Sequence, residues 1–231
     1  MATIHQFVTG ATPGNAIYNE ARIMQQALRR MGLHSEIFAE RIHPSLQKVV
    51  SPYAQYRPLV EDVLLFHYSL GSALSDYLLA LPQKLLLRYH NVTPAHFLVG
   101  ANPWLRAGAE KGRRDLPLFA KRTALALADS AFNEQDLLAA NFARKAVLPL
   151  IQPDDLFNVQ PDGKLLNLLS DGRTHLLFVG RIAPNKRQED LLKTLYFYRQ
   201  IDPTAQLLLV GSEDGAGGYG RFLRTVAQEV G

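Results

Sequence analysis

Cysteine is absent from all 231 residues, which removes disulfides, thiolate metal sites and thiol nucleophiles from consideration. Long apolar runs are absent too. No window approaches 18 uninterrupted apolar residues, and MATIHQFVTG at the amino end lacks the charged flank and apolar core of a secretory signal. These shortages lead to the expectation of a soluble, cytoplasmic chain. What is present is ordinary for an α/β protein, with 47% hydrophobic and 20% charged residues. The net charge of +4 is concentrated. Arg106, Lys111, Arg113, Arg114, Lys121 and Arg122 face only Glu110 and Asp115 in one segment, a surplus equal to the whole excess. Such a patch attracts nucleic acid, anionic lipid or phosphorylated substrate, or it is a solvated helix face. No aromatic residues are interleaved with the cations as a single-strand binder needs. Nucleic acid is therefore not an expected partner, while peripheral membrane contact stays open.

The chain reads as alternating strands and helices. Ile4–Val8 is a strand, followed by the turn-rich Gly10–Asn15. A helix then carries Ile17, Ala21, Met24, Leu28 and Met31 at helical spacing, with Asn15 placed to cap and Gly32 to terminate it. Leu33–Phe38 is expected as a second strand, and prolines punctuate Glu40–Glu61. Val63–Tyr68 (VLLFHY) and Leu85–Tyr89 (LLLRY) are strands flanking a helix over Leu70–Leu81. Their continuous apolar runs favour a parallel sheet covered on both faces. Val99–Gly112, with Trp104, reads as a loop, Leu116–Leu127 as a helix, Asn133 as the cap of the next helix, and Ala146–Leu150 as a short strand. Ile151–Arg173, with two prolines and two glycines, reads as a connection between domains. Gln206–Val210 is a late strand. Gly215, Gly217 and Gly220 match G-x-G-x-x-G, but the match begins five residues past that strand and leaves no room for the acidic residue about 20 positions on. It reads as a flexible loop.

The most informative stretch is Thr174–Leu192, THLLFVGRIAPNKRQEDLL. An apolar strand stops at Gly180, Arg181 follows at once, and Lys186 comes five positions later, just before a helical pattern. Ligands of open α/β sheets bind at that edge, and helix amino ends favour phosphate. Arg offers a planar fork of donors and Lys a mobile point charge. The arrangement reads as a site for a phosphorylated ligand, most simply a diphosphate. The alternative is a pair of solvated surface cations.

The pattern FVGR-x(4)-K, Phe178 to Lys186, followed by a helix, resembles the opening of the carboxyl-terminal domain of family-four retaining glycosyltransferases. The resemblance implies the GT-B architecture: two Rossmann-like domains with parallel sheets, here a domain over 1–150, a connection over 151–173 and a partial second domain over 174–231. It implies that Arg181 and Lys186 bind the diphosphate of a nucleotide-sugar donor without a metal or other cofactor. Gly14, in Pro13-Gly14, falls where that family has a glycine-rich loop near the donor phosphates; it also suits an ordinary tight turn. YHNVTP resembles a family segment in which a histidine, here His90, contacts the transferred sugar or orients the acceptor; the alternative is a structural histidine at a strand end. His67 reads as structural or cleft-lining. Ala128–Phe132 resembles the family's short strand before a helix. The family's glutamate pair, E-x(7)-E, has no counterpart here, so the chain is expected to be a carboxyl-terminally truncated, inactive fragment. Its acceptor, whether glycan, lipid or small molecule, is not readable. Two rival classes remain: an NAD-dependent or other nucleotide-binding Rossmann enzyme, and a non-catalytic module that binds a phospho-ligand.

Overall fold

The computed structural model describes residues 2–99, 102–152, 158–213 and 217–230. The chain divides into two compact units. One comprises Met1–Val92 and Gly108–Leu156, the other Thr93–Ala107 and Phe157–Gly231.

The first unit is built on a seven-stranded sheet. Its strands are β1 (Ile4–Ala11), β2 (Ile37–Ile42), β3 (Ser51–Pro52), β4 (Val63–Tyr68), β5 (Lys84–Tyr89), β6 (Thr123–Ala128) and β7 (Lys145–Val147). All pair in parallel, in the order β3-β2-β1-β4-β5-β6-β7. The order reverses between β1 and β4, and in doubly wound sheets a ligand site belongs at the carboxyl ends of the strands flanking that reversal. Continuous burial of Leu64, Leu65, Phe66, His67 and Tyr68 meets the expectation of a sheet covered on both faces. Helix α1 (Ala16–Arg30) is capped as expected, the Asn15 side chain accepting from the Ile17 and Tyr18 amides. Its Tyr18 and Ala21 pack on Val8, Ala11, Ile37 and Ala39.

Several boundaries differ from the sequence reading. The second strand begins four residues late, at Ile37, and runs on through Glu40 and Arg41. Its neighbour β3 has only two residues, so the end of β2 lies near a sheet edge where polar side chains are tolerated. The helix expected over Leu70–Leu81 is confined to α2 (Ala73–Ala80). Within Val99–Gly112, read as a loop, the residues from Pro103 on are helical, because helix α3 runs from Pro103 to Arg122. Gly108 and Gly112 lie within this helix at close-approach positions. A Cβ on Gly112 would stand 2.8 Å from the Gly71 nitrogen, and one on Gly108 2.8 Å from Leu70. The Gly71 amide donates to the Gly108 carbonyl at 2.9 Å, and the Tyr68 hydroxyl to the Gly112 carbonyl at 2.7 Å.

Thr123–Ala128 (TALALA) is strand β6 rather than the end of a helix. Pairing with β5 and β7 overrides the helical preference of its alanines. The short strand expected over Ala128–Phe132 is thus this earlier segment. Helix α4 (Ala131–Ala139) is capped by Ser130, with Asn133 inside it, and the strand expected over Ala146–Leu150 is β7, over Lys145–Val147.

The second unit carries a two-stranded parallel sheet, β8 (His175–Val179) with β9 (Gln206–Val210). Its helices include α5 (Gly163–Leu169), inside the segment read as a connection, α6 (Gln188–Tyr198) and α7 (Tyr219–Val230). Its core is small: Ile182, Leu192, Tyr219 and Leu223, with Leu207, Leu209 and Val226 against them. Gly215 of the glycine-rich stretch lies outside the described residues. Among the described residues no helix is long and apolar enough to cross a membrane.

Candidate functional site

The first candidate is the β8–α6 corner of the second unit. Parallel pairing continues past the strand ends: the Gly180 amide donates to the Val210 carbonyl at 2.8 Å and the Ile182 amide to the Ser212 carbonyl at 2.9 Å. The backbones are so close that a Cβ on Gly211 would sit 2.0 Å from the Gly180 oxygen. Ile182 and Ala183 are buried, and a single turn over Pro184–Lys186 leads to Arg187, held in the left-handed region at φ 52°. Buried Gln188 clasps the loop, its Nε2 donating to the Arg181 carbonyl at 3.0 Å. Buried Asn185 Oδ1 and Gln188 Oε1 have no hydrogen-bond partner among the described residues.

Three cations share this corner. Arg187 is tied to Asp190, Nε to Oδ2 at 2.6 Å. Arg181 and Lys186 are exposed, and no ion pair among the described residues holds either. The helix start adds less than the sequence reading assigned to it. The amides of Lys186, Arg187 and Asp190 donate to the carbonyls of Ala183, Pro184 and Arg187, and that of Glu189 to the Tyr219 hydroxyl. Glu189 and Asp190 already answer the helix dipole in the first turn. The Tyr219 hydroxyl in turn donates to Glu189; burial first and that bond second push it up to about 12. With those amides in use, Arg181 and Lys186 are the corner's cations without an ion pair among the described residues.

Gly14 lies in the β1–α1 turn of the first unit. The Asn15 amide donates to the Thr12 carbonyl at 3.1 Å, and Gly14 takes φ +78° with open space where a Cβ would stand. Proline then glycine at the two central positions is the signature of a type II turn, and that turn alone accounts for the glycine.

His90 stands just past β5, and its side chain is 3% exposed. Its Nε2 lies 3.0 Å from His67 Nδ1 and 3.4 Å from Glu20 Oε2. His67 Nε2 is 2.9 Å from Gln6 Oε1, and Gln6 Nε2 donates to the Ala21 carbonyl at 2.9 Å. Glu20 receives Arg88 through two bonds, Nη2 to Oε1 at 2.6 Å and Nε to Oε2 at 3.2 Å. Arg88 also donates to the Leu148 carbonyl at 2.6 Å, and the Ile151 amide donates to Glu20 Oε1 at 3.2 Å. Burial, with the Arg88 charge beside it, lowers His67 to about 3. Burial, then His67 and Arg88, hold His90 well below the ordinary imidazole value. Both rings are therefore neutral near pH 7.

Glu20, His67 and His90 carry ligand-type atoms within 4.8 Å of one another. Those atoms already have uses: the guanidinium covers both carboxylate oxygens, and a hydrogen bond joins the facing ring nitrogens. The sequence reading singled out His90 and missed Glu20 and Arg88. The signal was available, since Glu20 falls on the apolar face between Ile17 and Met24, and Arg88 interrupts an apolar strand.

The basic segment lies on α3, and much of its charge is engaged. Lys111 pairs with Asp76 at 2.6 Å and Asp115 at 2.5 Å, Arg113 with Asp136 at 3.5 Å, and Arg122 donates to the Leu81 and Gln83 carbonyls. Arg114 stays largely exposed.

No family model matches the chain, and no curated protein does. Solved structures do. A sucrose-phosphate synthase from Thermosynechococcus elongatus aligns with a TM-score of 0.65 at 17% identity, covering 100% of this chain and 68% of that one. WaaG, a glycosyltransferase of lipopolysaccharide biosynthesis, aligns at 0.62 and 10% identity, over 98% of this chain and 67% of that one. An alpha-glucosyltransferase in complex with UDP and a mismatched DNA aligns at 0.59 and 11%, over 99% of this chain and 60% of that one. The chain thus has an α/β fold of the GT-B glycosyltransferase kind and spans 60–68% of these proteins' lengths.

Proposed function

We propose that this chain belongs to a retaining glycosyltransferase resembling family four, with a nucleotide-sugar donor whose diphosphate is held by Arg181 and Lys186. The observation that carries the reading is the inequality among three neighbouring cations. Arg187 is neutralised within the loop, while Arg181 and Lys186, at the two ends of the same corner, keep their charges uncommitted. A planar fork and a mobile ammonium suit two phosphoryl groups better than one. UDP in one of the structural neighbours agrees with a ligand of that class.

In this reading the acceptor's hydroxyl oxygen forms a bond to the anomeric carbon on the face from which the diphosphate leaves, the bond from that carbon to the phosphate oxygen breaks, and the hydroxyl proton passes to the departing oxygen as charge develops on it. The cations stabilise that charge, so no metal is required. His90 supplies a neutral imidazole to the transferred sugar or the acceptor hydroxyl. Gly14, whose turn is explained without a ligand, is the weakest member of the set. Peripheral membrane contact would fall to the exposed cations of α3, and the acceptor remains a glycan, lipid or small molecule.

The test is calorimetric titration of the 231-residue chain with UDP, GDP, ADP and NAD. A nucleoside diphosphate should bind, and Arg181→Ala and Lys186→Ala should each weaken it at least about tenfold, the scale of one lost charge-assisted hydrogen bond. Where sugar transfer is measurable, Lys186→Ala should slow turnover by ~10²–10³, as for loss of one preorganised donor. Equal affinity in wild type and both variants, or preference for NAD, overturns the reading.

A further inference from the structure

We propose that Gln6 and His67 are positioning residues that fix His90 as its Nε2–H tautomer, leaving Nδ1 as the bare nitrogen of the ring. The inference rests on the reading that His90 meets the reacting sugar or acceptor, and it adds a direction for the proton. Hydrogen-bond polarity runs through four buried groups. Gln6 Nε2 lies 2.9 Å from the Ala21 carbonyl, and a carbonyl only accepts, so that atom is the amide nitrogen. The oxygen of the same amide therefore faces His67 Nε2, at 2.9 Å. An amide oxygen only accepts, so His67 carries its proton on Nε2. Its Nδ1 is then a bare acceptor 3.0 Å from His90 Nε2. His90 must supply the proton between them. A second acceptor agrees, since Glu20 Oε2 stands 3.4 Å from the same His90 nitrogen.

The groups facing the pair come from each neighbouring element. Gln6 is on β1, Glu20 on α1, His67 on β4 and Arg88 on β5. Arg88 opposes protonation of either ring, and the Glu20 carboxylate is committed to Arg88 through both oxygens. A neutral ring with one assigned proton is what this arrangement permits. Chemically it makes His90 Nδ1 an acceptor for a hydroxyl rather than a donor to a phosphate. Which nitrogen of a histidine ring carries the proton is set by the hydrogen bonds the ring makes. Here the assignment runs back to a backbone carbonyl, so it is fixed by the fold.

The experiment is nitrogen-15 NMR of the full chain with labelled histidines. Expected are a proton on Nε2 and a bare Nδ1 in both rings, with nitrogen–nitrogen coupling across the His67–His90 bond. A proton on His90 Nδ1, or no coupling, overturns the proposal. Two variants test the role of His67. In His67→Phe the Nδ1–H form of His90 should become detectable. In His67→Asn, whose amide oxygen replaces the lost acceptor, the wild-type tautomer should persist. Where transfer is measurable, His67→Phe should lower kcat at least about tenfold with donor KM unchanged within about twofold, and His67→Asn should restore most of it. An unchanged tautomer together with unchanged kcat in His67→Phe reduces His67 to a structural role. If wild type transfers no sugar from any nucleotide donor, the functional reading falls, while the NMR result still decides the tautomer.

Discussion

β4 and β8 begin from the same recipe, a short continuous apolar run, and finish in opposite states. Each strand residue from Leu64 to Tyr68 is buried, because β4 has β1 and β5 as neighbours and layers on both faces. In β8, Leu177 is 64% and Val179 71% exposed, and among the described residues the strand pairs only with β9. The contrast extends to polar groups. The first unit encloses enough core to hold a carboxylate, a guanidinium and two imidazoles away from water, and burial fixes their protonation. The second unit has a smaller core, and Arg181 and Lys186 are exposed. A tautomer needs the first environment and a mobile anionic ligand needs the second, so the two candidate features sit in the unit that suits each.

The largest effect should come from breaking the first unit's enclosed charge. Glu20→Leu leaves Arg88, which is fully buried, without its carboxylate. Stranding one member of a buried pair typically costs ~3–5 kcal/mol. Urea unfolding should show a much lower midpoint for the first unit, and Glu20→Leu with Arg88→Met should recover a good part of it. A single-variant loss below ~1 kcal/mol would mean that water reaches the site.

Acid should separate the units next. His67 and His90 are depressed in the folded state relative to an unfolded value near 6.5. Between that value and the folded one, the unfolded chain binds more protons, so stability falls as pH falls. The contribution of His67 is complete above about pH 6.5 and is lost progressively toward about 3, and that of His90 is lost in the same direction. Hydrogen exchange should show β4 and β5 losing protection across that window before β8 and β9 do. Equal loss in both units would assign the effect to surface carboxylates instead.

These two predictions concern the part of the molecule least legible beforehand. VLLFHY and LLLRY announced buried parallel strands, and Asn15 announced its helix, because such signals are local. The ion pair is not local: Glu20 and Arg88 are 68 positions apart, and no spacing rule joins them. Each alone is a polar residue in an apolar pattern, with nothing local to name its partner. The Val99–Gly112 stretch, which holds Gly108 and Gly112, reads as a loop for a related reason. A glycine in a loop and a glycine where two backbones touch look alike until the second backbone, here Leu70–Gly71, is in place. The Arg181–Lys186 corner was legible because strand, loop and helix are consecutive, yet the prior use of its amides by Ala183, Pro184, Arg187 and Tyr219 was not.

In the second unit the most sensitive point should be the corner itself. Gly211→Ala places a methyl 2.0 Å from the Gly180 oxygen, so one strand end must shift. Overpacking of this kind costs roughly 1–3 kcal/mol, a large share of what a small core supplies. Exchange protection of β8 and β9 should fall while that of β4 and β5 holds, and nucleoside diphosphate affinity should fall with it. Gly14→Ala makes the sharper control. It meets open space, so only its positive φ penalises it.

The smallest effect on stability should come from the uncovered face of β8, and it is informative because it is small. Leu177 and Val179 are more exposed than a strand of their composition ordinarily allows, and a short sheet with open edges and apolar side chains invites association. Leu177→Lys with Val179→Thr removes that apolar surface without touching Ile182, Leu192 or Leu223. Exposed substitutions of this kind usually change stability by less than about 0.5 kcal/mol. The unfolding midpoint should therefore hold while self-association, followed by light scattering at rising concentration, declines. A loss of 2 kcal/mol or more would show instead that this face is covered in solution, and the contrast between β4 and β8 would then be one of partner rather than of burial.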